Sequence, residues 1–198
     1  MAIAAIVVAS ALAAAAPASS QPGPPLPHWP EGRRILVWID PALAPSGADA
    51  LVGRAMATWT QAADGRFTLA RTAEEAGADM RVRFVRRGGL YGESRPLGDA
   101  ATGLIFSAEV FITAEVAGDA IDRQVVLYLT ALHEIGHALG LPHTDEFSSI
   151  MYAFRFPDDG ARFFGTYRSR LRSADDIGAV VTGLSARDVE ALQNLYAR

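Results

Sequence analysis

The residues with the clearest chemical potential are His133, Glu134, His137 and His143, with Gly140 between the last two histidines, in the run HEIGHALGLPH. His133 and His137 are four residues apart in a stretch, 122 to 139, where Val126, Leu129, Thr130 and His133 trace one helical face. That spacing puts both imidazoles on the same side of a helix, one turn apart. Two nitrogens from one helix make one edge of a tetrahedral zinc site, and a third ligand must then arrive from another direction, so the helix has to stop. Gly140 can take the left-handed conformation that ends a helix, and Leu141-Pro142 can carry the chain round so that His143 reaches the metal, leaving a fourth position for water. Glu134 points partly off the ligand face, where its carboxylate can act on that water as a general base without being a ligand. Three His, one Glu and one Gly at these offsets arise by chance in on the order of one chain in 10⁵ at average composition, so ordinary core or surface histidines are a poor account of them.

Several elements must position this group. Arg34 to Asp40 read as a buried strand, with Ile35, Val37 and Ile39 alternating with Leu36 and Trp38, and Pro41 ends it. Val52, Ala55, Met56 and Trp59 recur at helical spacing between Ser46 and Ala63, with Ser46 or Asp49 as the expected cap. Short strands are expected at 67 to 70 and 80 to 85, and in a further strand Leu104, Phe106, Ala108, Val110 and Ile112 should share one face. An edge strand falls within 88 to 103, its residues unresolved by pattern. Near the end of the chain, Ser185 and Asp188 suit a helix cap. This order predicts an α+β fold, a twisted mixed sheet of about five strands covered mainly on one face, with an N-terminal helix, an active-site helix and a C-terminal helix.

Composition limits the rest. The chain has 198 residues, half of them hydrophobic, which suits one catalytic-sized domain. A net charge of −4 without blocks of like charge gives no footprint for nucleic acid or an anionic membrane. With no cysteine, any zinc must be held by nitrogen and oxygen. The small apolar run from 2 to 16 followed by Pro17-Ala18-Ser19 predicts a signal peptide over 1 to 18, although it lacks the preceding Lys or Arg. Secretion or export to the periplasm is therefore expected, the alternative being an uncleaved hydrophobic anchor. Residues 19 to 30 contain five prolines and predict an extended, poorly ordered leader, with the domain running from 31 to 198. Glycines and charges concentrate again between Pro157 and Gly183, and the segment at about 155 to 183, with Phe156, Phe163, Phe164 and Tyr167, reads as an insertion that either borders the substrate cleft or packs away from it.

The run HEIGHALGLPH resembles the zinc motif of the metzincin clan of metallopeptidases, and within it the matrixins, matching every fixed position through His133, Glu134, His137, Gly140 and His143. Thr144 keeps the hydroxyl of the serine that matrixins usually carry after the third histidine. The resemblance implies a zincin-like domain and one catalytic zinc. It makes Ser148-Ser149-Ile150-Met151-Tyr152 the Met-turn, with Met151 beneath the ligands and Asp188 tying the last helix to the turn. By the same resemblance Leu129 sits at the floor of the pocket for the residue after the scissile bond, and Ala153 and Phe154 follow along its wall. The chain departs from animal matrixins in having no histidine between His28 and His133, so a structural zinc is not expected, and the missing cysteine excludes a cysteine switch. Glu109, Glu115, Asp119 and Asp122 have no spacing that supports calcium. The implied activity is that of a secreted zinc endopeptidase, a monomer acting on protein or peptide substrates without stable membrane association. The alternatives are a non-catalytic zinc-binding module and a zinc amidase acting on cell-wall peptides.

Overall fold

The computed structural model describes residues 25–86 and 91–197. The expected signal segment, the first half of the leader and residues 87–90 lie outside them.

The chain enters through β1 (Arg33–Ile39), whose Ile35, Val37 and Ile39 are buried, and crosses through α1 (Ala48–Ala62) to β2 (Phe67–Arg71). Then come β3 (Met80–Val85), β4 (Gly92–Gly98) and β5 (Ile105–Thr113). They form a five-stranded sheet in the order β2-β1-β3-β5-β4. All pairs are parallel except β4 with β5, so β4 is an antiparallel edge with β5 as its neighbour. The fold is α+β with a mixed sheet, as the pattern of elements implied.

α1 is amphipathic as expected and buries Leu51, Val52, Ala55, Met56 and Trp59, but its cap is neither Ser46 nor Asp49. Gly47 caps it in a left-handed conformation, φ 78°, with no side-chain bond, and Asp49 in the first turn pairs with Arg71 instead. A second correction concerns β5. Ala108, Val110 and Ile112 face the core, whereas Phe106 is 63% exposed and Ile105 is buried in its place. The register shifts at Leu97/Gly98 on β4, and this irregularity breaks the alternation at that end.

α2 (Ala120–Ala138) packs against α1 and the core face of the sheet. A capping box of Asp119 and Asp122 starts it. Two of the carboxylates considered for calcium are thus committed to a cap, while Glu109 and Glu115 face Arg83 and Arg86. Beyond the second half of the site come α3 (Asp159–Arg168), one short 3₁₀ turn and α4 (Ala186–Leu195). The 155 to 183 segment is therefore partly helical.

The leader also differs from expectation. Its described part, 25–30, is docked rather than loose: Trp29 is 1% exposed, and His28 forms a parallel bridge with Leu104. A tryptophan left in water would forfeit one of the largest apolar burials available to a side chain. No helix among the described residues is long and apolar enough to cross a membrane.

Candidate active site

α2 ends where its sequence demands. Gly140 has φ 100°, its N–H donates to His137 O at 2.9 Å, and Leu141 N–H donates to Gly136 O at 3.0 Å, a paired closure that terminates the helix. The remaining carbonyls are capped from both ends of the domain. Trp29 Nε1–H donates to Ala138 O and Tyr196 O–H to Leu139 O, each at 2.9 Å. Gly140 is glycine for a second reason, because a Cβ there would lie 1.9 Å from Pro27 O.

The turn brings His143 back to His133 and His137. Their Nε2 atoms stand 3.0 Å (His137 to His143), 3.1 Å (His137 to His133) and 3.3 Å (His143 to His133) apart. Tetrahedral zinc with N at about 2.0–2.1 Å requires separations of about 3.3 Å. His133 Nδ1 lies 2.6 Å from Ile150 O and His137 Nδ1 lies 2.8 Å from Leu141 O. A carbonyl only accepts, so each Nδ1 carries the proton and each Nε2 turns a lone pair inward. Lone pairs gathered at this distance repel one another unless a cation lies between them, which is the donor set a zinc ion fits. Burial favours the neutral, ligating form: it pushes His133 down to about 3, with the neighbouring His137 adding to the effect, and lowers His137 and His143 too.

Glu134 is buried one position past the first ligand. Burial, followed by the nearby Glu93, pushes its carboxyl up to about 8. A carboxyl that exchanges its proton near neutrality is suited to proton transfer. β4 passes directly over it: a Cβ on Gly92 would fall 2.6 Å from Glu134 Cγ and 2.8 Å from Oε1. Only glycine allows the edge strand and the carboxylate to share this space.

The Met151 side chain lies under α2, where a Cβ on Gly136 would meet its Sδ at 2.5 Å. The turn is pinned by Asp188, which is 3% exposed and accepts from Ser149 Oγ at 2.5 Å and Ile150 N at 3.2 Å. The same carboxylate accepts from Ser185 N and Oγ, both at 2.7 Å, so it serves as helix cap and as tether at once. Thr144 N donates to Met151 O at 2.9 Å, joining the segment after the third histidine to the turn.

A cleft of about 660 Å³ opens along this group. Leu129, Ala153 and Phe154 all line it. Three further elements contribute: an edge strand expected only somewhere within 88 to 103, the leader, which was not expected here, and the 155 to 183 segment. Gly92 and Glu93 come from β4, Pro27 from the leader, and Phe163 and Phe164 from α3. The tryptophan amid the leader prolines was the available signal that the segment docks.

Among the described residues these three histidines are the one group of ligand-type side chains close enough to hold a metal ion. The sequence profile of a protein family described as Matrixin matches residues 35–163, more than half of the chain and the stretch that contains the three histidines and the Met-turn.

Proposed function

This chain belongs to the matrixin family of metallopeptidases, and from that membership we propose that it is an exported, zinc-dependent endopeptidase in which Glu134 is the general base. The observation that carries the reading is the convergence of three Nε2 atoms at 3.0–3.3 Å beside a buried carboxyl, under an edge strand.

His133, His137 and His143 hold the metal. When bound, zinc supplies a Lewis acid that acidifies water and polarises a carbonyl. Glu134 accepts the proton of the attacking water and delivers it to the leaving amine. β4 offers the backbone groups of its outer edge to an extended peptide, and Gly92 lets that strand approach the carboxyl. Met151, His133 and Ile150 form one connected support, so the ligand geometry depends on the turn beneath it. Leu129, Ala153 and Phe154 receive the side chain that follows the scissile bond. The substrates are proteins or peptides, and the net charge of −4 without blocks of like charge argues against nucleic acid or an anionic membrane as partner. The apolar run at 2 to 16 supports export.

Incubating the zinc-loaded protein with a proteome-derived peptide library tests the proposal. Internal cleavages that disappear with a chelator and return with zinc are expected. A protein that holds one zinc and cleaves nothing would refute it.

A further inference from the structure

Asp159 and Asp188 are the two buried aspartates among the described residues, 1% and 3% exposed. Asp188 is accounted for by the turn it holds from α4. Asp159 opens α3, where an acidic side chain at the surface would already be favoured by the helix dipole. Its neighbour Asp158, the N-cap, is exposed in that way. Asp159 turns inward instead, and burying a carboxylate is costly unless donors surround it. Phe156 N–H donates to its Oδ2 at 3.0 Å, and Asp159 N–H returns a bond to Phe156 O at 3.1 Å. The hydroxyl of Tyr152, the residue directly after Met151, donates to the same Oδ2 at 2.9 Å.

Tyr152 leads on to the third histidine. His133 and His137 are each oriented by a carbonyl at Nδ1, whereas the hydrogen bonds of His143 among the described residues run only between Nε2 atoms. The orientation of His143 is therefore left to the backbone that carries it. Thr144, the next residue, donates its N–H to Met151 O at 2.9 Å and accepts from Ala153 N–H at 3.2 Å, so that Thr144 and Tyr152 form a parallel bridge. Tyr152 is 7% exposed, and its ring meets those of Phe147 and Phe154 edge-on at 5.1 and 5.6 Å. Between Tyr152 and Phe156 the chain passes through Phe154 at φ 39°, a conformation that persists in a bulky residue only where its surroundings over-determine it.

We propose, on the reading of the three histidines as zinc ligands, that Asp159 is a positioning residue for His143. It fixes Tyr152, Tyr152 fixes the short strand that pairs with Thr144, and Thr144 sets where His143 Nε2 meets the metal. Asp188 holds the other end of the same turn through Ser149 and Ile150, and Ile150 O orients His133. The two buried carboxylates thus serve different ligands. Asp159 begins the helix whose later residues Phe163 and Phe164 line the cleft, yet it acts through directional hydrogen bonds rather than ring contacts.

The test reads metal geometry and affinity independently of hydrolysis. The full chain is loaded with Co²⁺ in place of zinc for its visible absorption bands, which report ligand geometry, and the zinc Kd is measured in parallel. Asp159→Ala and Tyr152→Phe should each alter the Co²⁺ bands and weaken zinc, Asp159→Ala by roughly tenfold and the milder Tyr152→Phe by less. Asp159→Asn keeps an oxygen that can accept from Tyr152 and Phe156, and it should restore the wild-type bands. The double variant should bind zinc no more weakly than Asp159→Ala alone. Val37→Ala, a buried change in β1, should lower the melting temperature and leave bands and Kd unmoved. A folded Asp159→Ala with wild-type bands and Kd, an Asp159→Asn no better than Asp159→Ala, or a Val37→Ala with the same losses would overturn the proposal. If Asp159→Ala does not fold, unchanged bands in Tyr152→Phe overturn it. A chain that shows the expected responses but hydrolyses no peptide would sink the peptidase reading alone, whereas a wild type that binds neither metal would sink both.

Discussion

The two sides of the cleft are built by different means. The metal side hangs on backbone hydrogen bonds: Ile150 O and Leu141 O orient two imidazoles, Trp29 and Tyr196 cap the end of α2, and Asp188 ties the Met-turn to α4. The facing wall is a set of aromatic contacts, Phe154, Phe163, Phe164 and Tyr91, whose rings meet at 5.0–6.2 Å. Directional bonds fix positions to within the tolerance that metal coordination demands, while aromatic packing specifies shape more loosely. Damage to the first side should therefore cost structure and zinc together. Damage to the second should cost mainly selectivity.

The sharpest way to break the metal side is Gly140→Ala. The new methyl would overlap Pro27 O and sit on a backbone at φ 100°, so a loss of about 3 kcal/mol or more in denaturant unfolding is expected, together with weaker zinc retention. A folded variant with unchanged zinc affinity would show that the leader and the turn are not coupled. Next comes Asp188→Ala, which strands the donors of Ser149, Ile150 and Ser185 in a buried place and should lower stability by about 3 kcal/mol. A loss below about 1 kcal/mol would mean that the tether contributes little beyond an ordinary helix cap.

The metal side was also the side legible in sequence, and the reason is local spacing. His133, His137, Gly140 and His143 fall within one helix and its closing turn, so their offsets alone dictate which side chains can converge. Asp188 was legible as a cap because Ser185 stands three residues before it, though only the family resemblance suggested its longer reach. The wall was legible only as a segment at about 155 to 183 that could border the cleft; its helix and its docking were not. Phe163 and Phe164 lie on a helix whose docking depends on Tyr91 and Gly160, partners roughly seventy residues apart in the chain and linked by no local periodicity. β4 was placed only to within 88 to 103 for a related reason: GESRPLG has no apolar alternation, because an edge strand over a cleft buries neither face fully. Phe106 misled because alternation cannot foresee a register shift on the neighbouring strand.

A smaller effect concerns pH. The Glu134 carboxyl sits at about 8 in the folded metal-free protein against an ordinary 4.5, so the folded state binds the proton more tightly than the unfolded chain. Its contribution to stability is complete below about 4.5 and is lost as pH rises toward about 8. Without metal, the melting temperature of Glu134→Gln minus that of the wild type should therefore increase from pH 5 to pH 8. The histidines are common to both proteins and largely cancel in the difference. A flat difference would mean that burial does not hold this carboxyl in its protonated form.

The smallest effect is expected on the wall. Arg162 lies 4.6 Å over the Phe147 ring and 3.7 Å from Asp159, and its side chain is 66% exposed. Arg162→Ala should lower stability by no more than about 1 kcal/mol and leave zinc in place, since exposed pairs are worth little. Loss of zinc in this variant would erase the proposed division between the two sides.

The most direct measurement of the central claim is zinc content and peptide hydrolysis in the same sample of Glu134→Gln. One zinc per chain, as in the wild type, and hydrolysis reduced by roughly 10²–10⁴-fold are expected, because the residue moves protons and does not hold the metal. Hydrolysis close to wild type with zinc in place, or loss of the zinc itself, would contradict it.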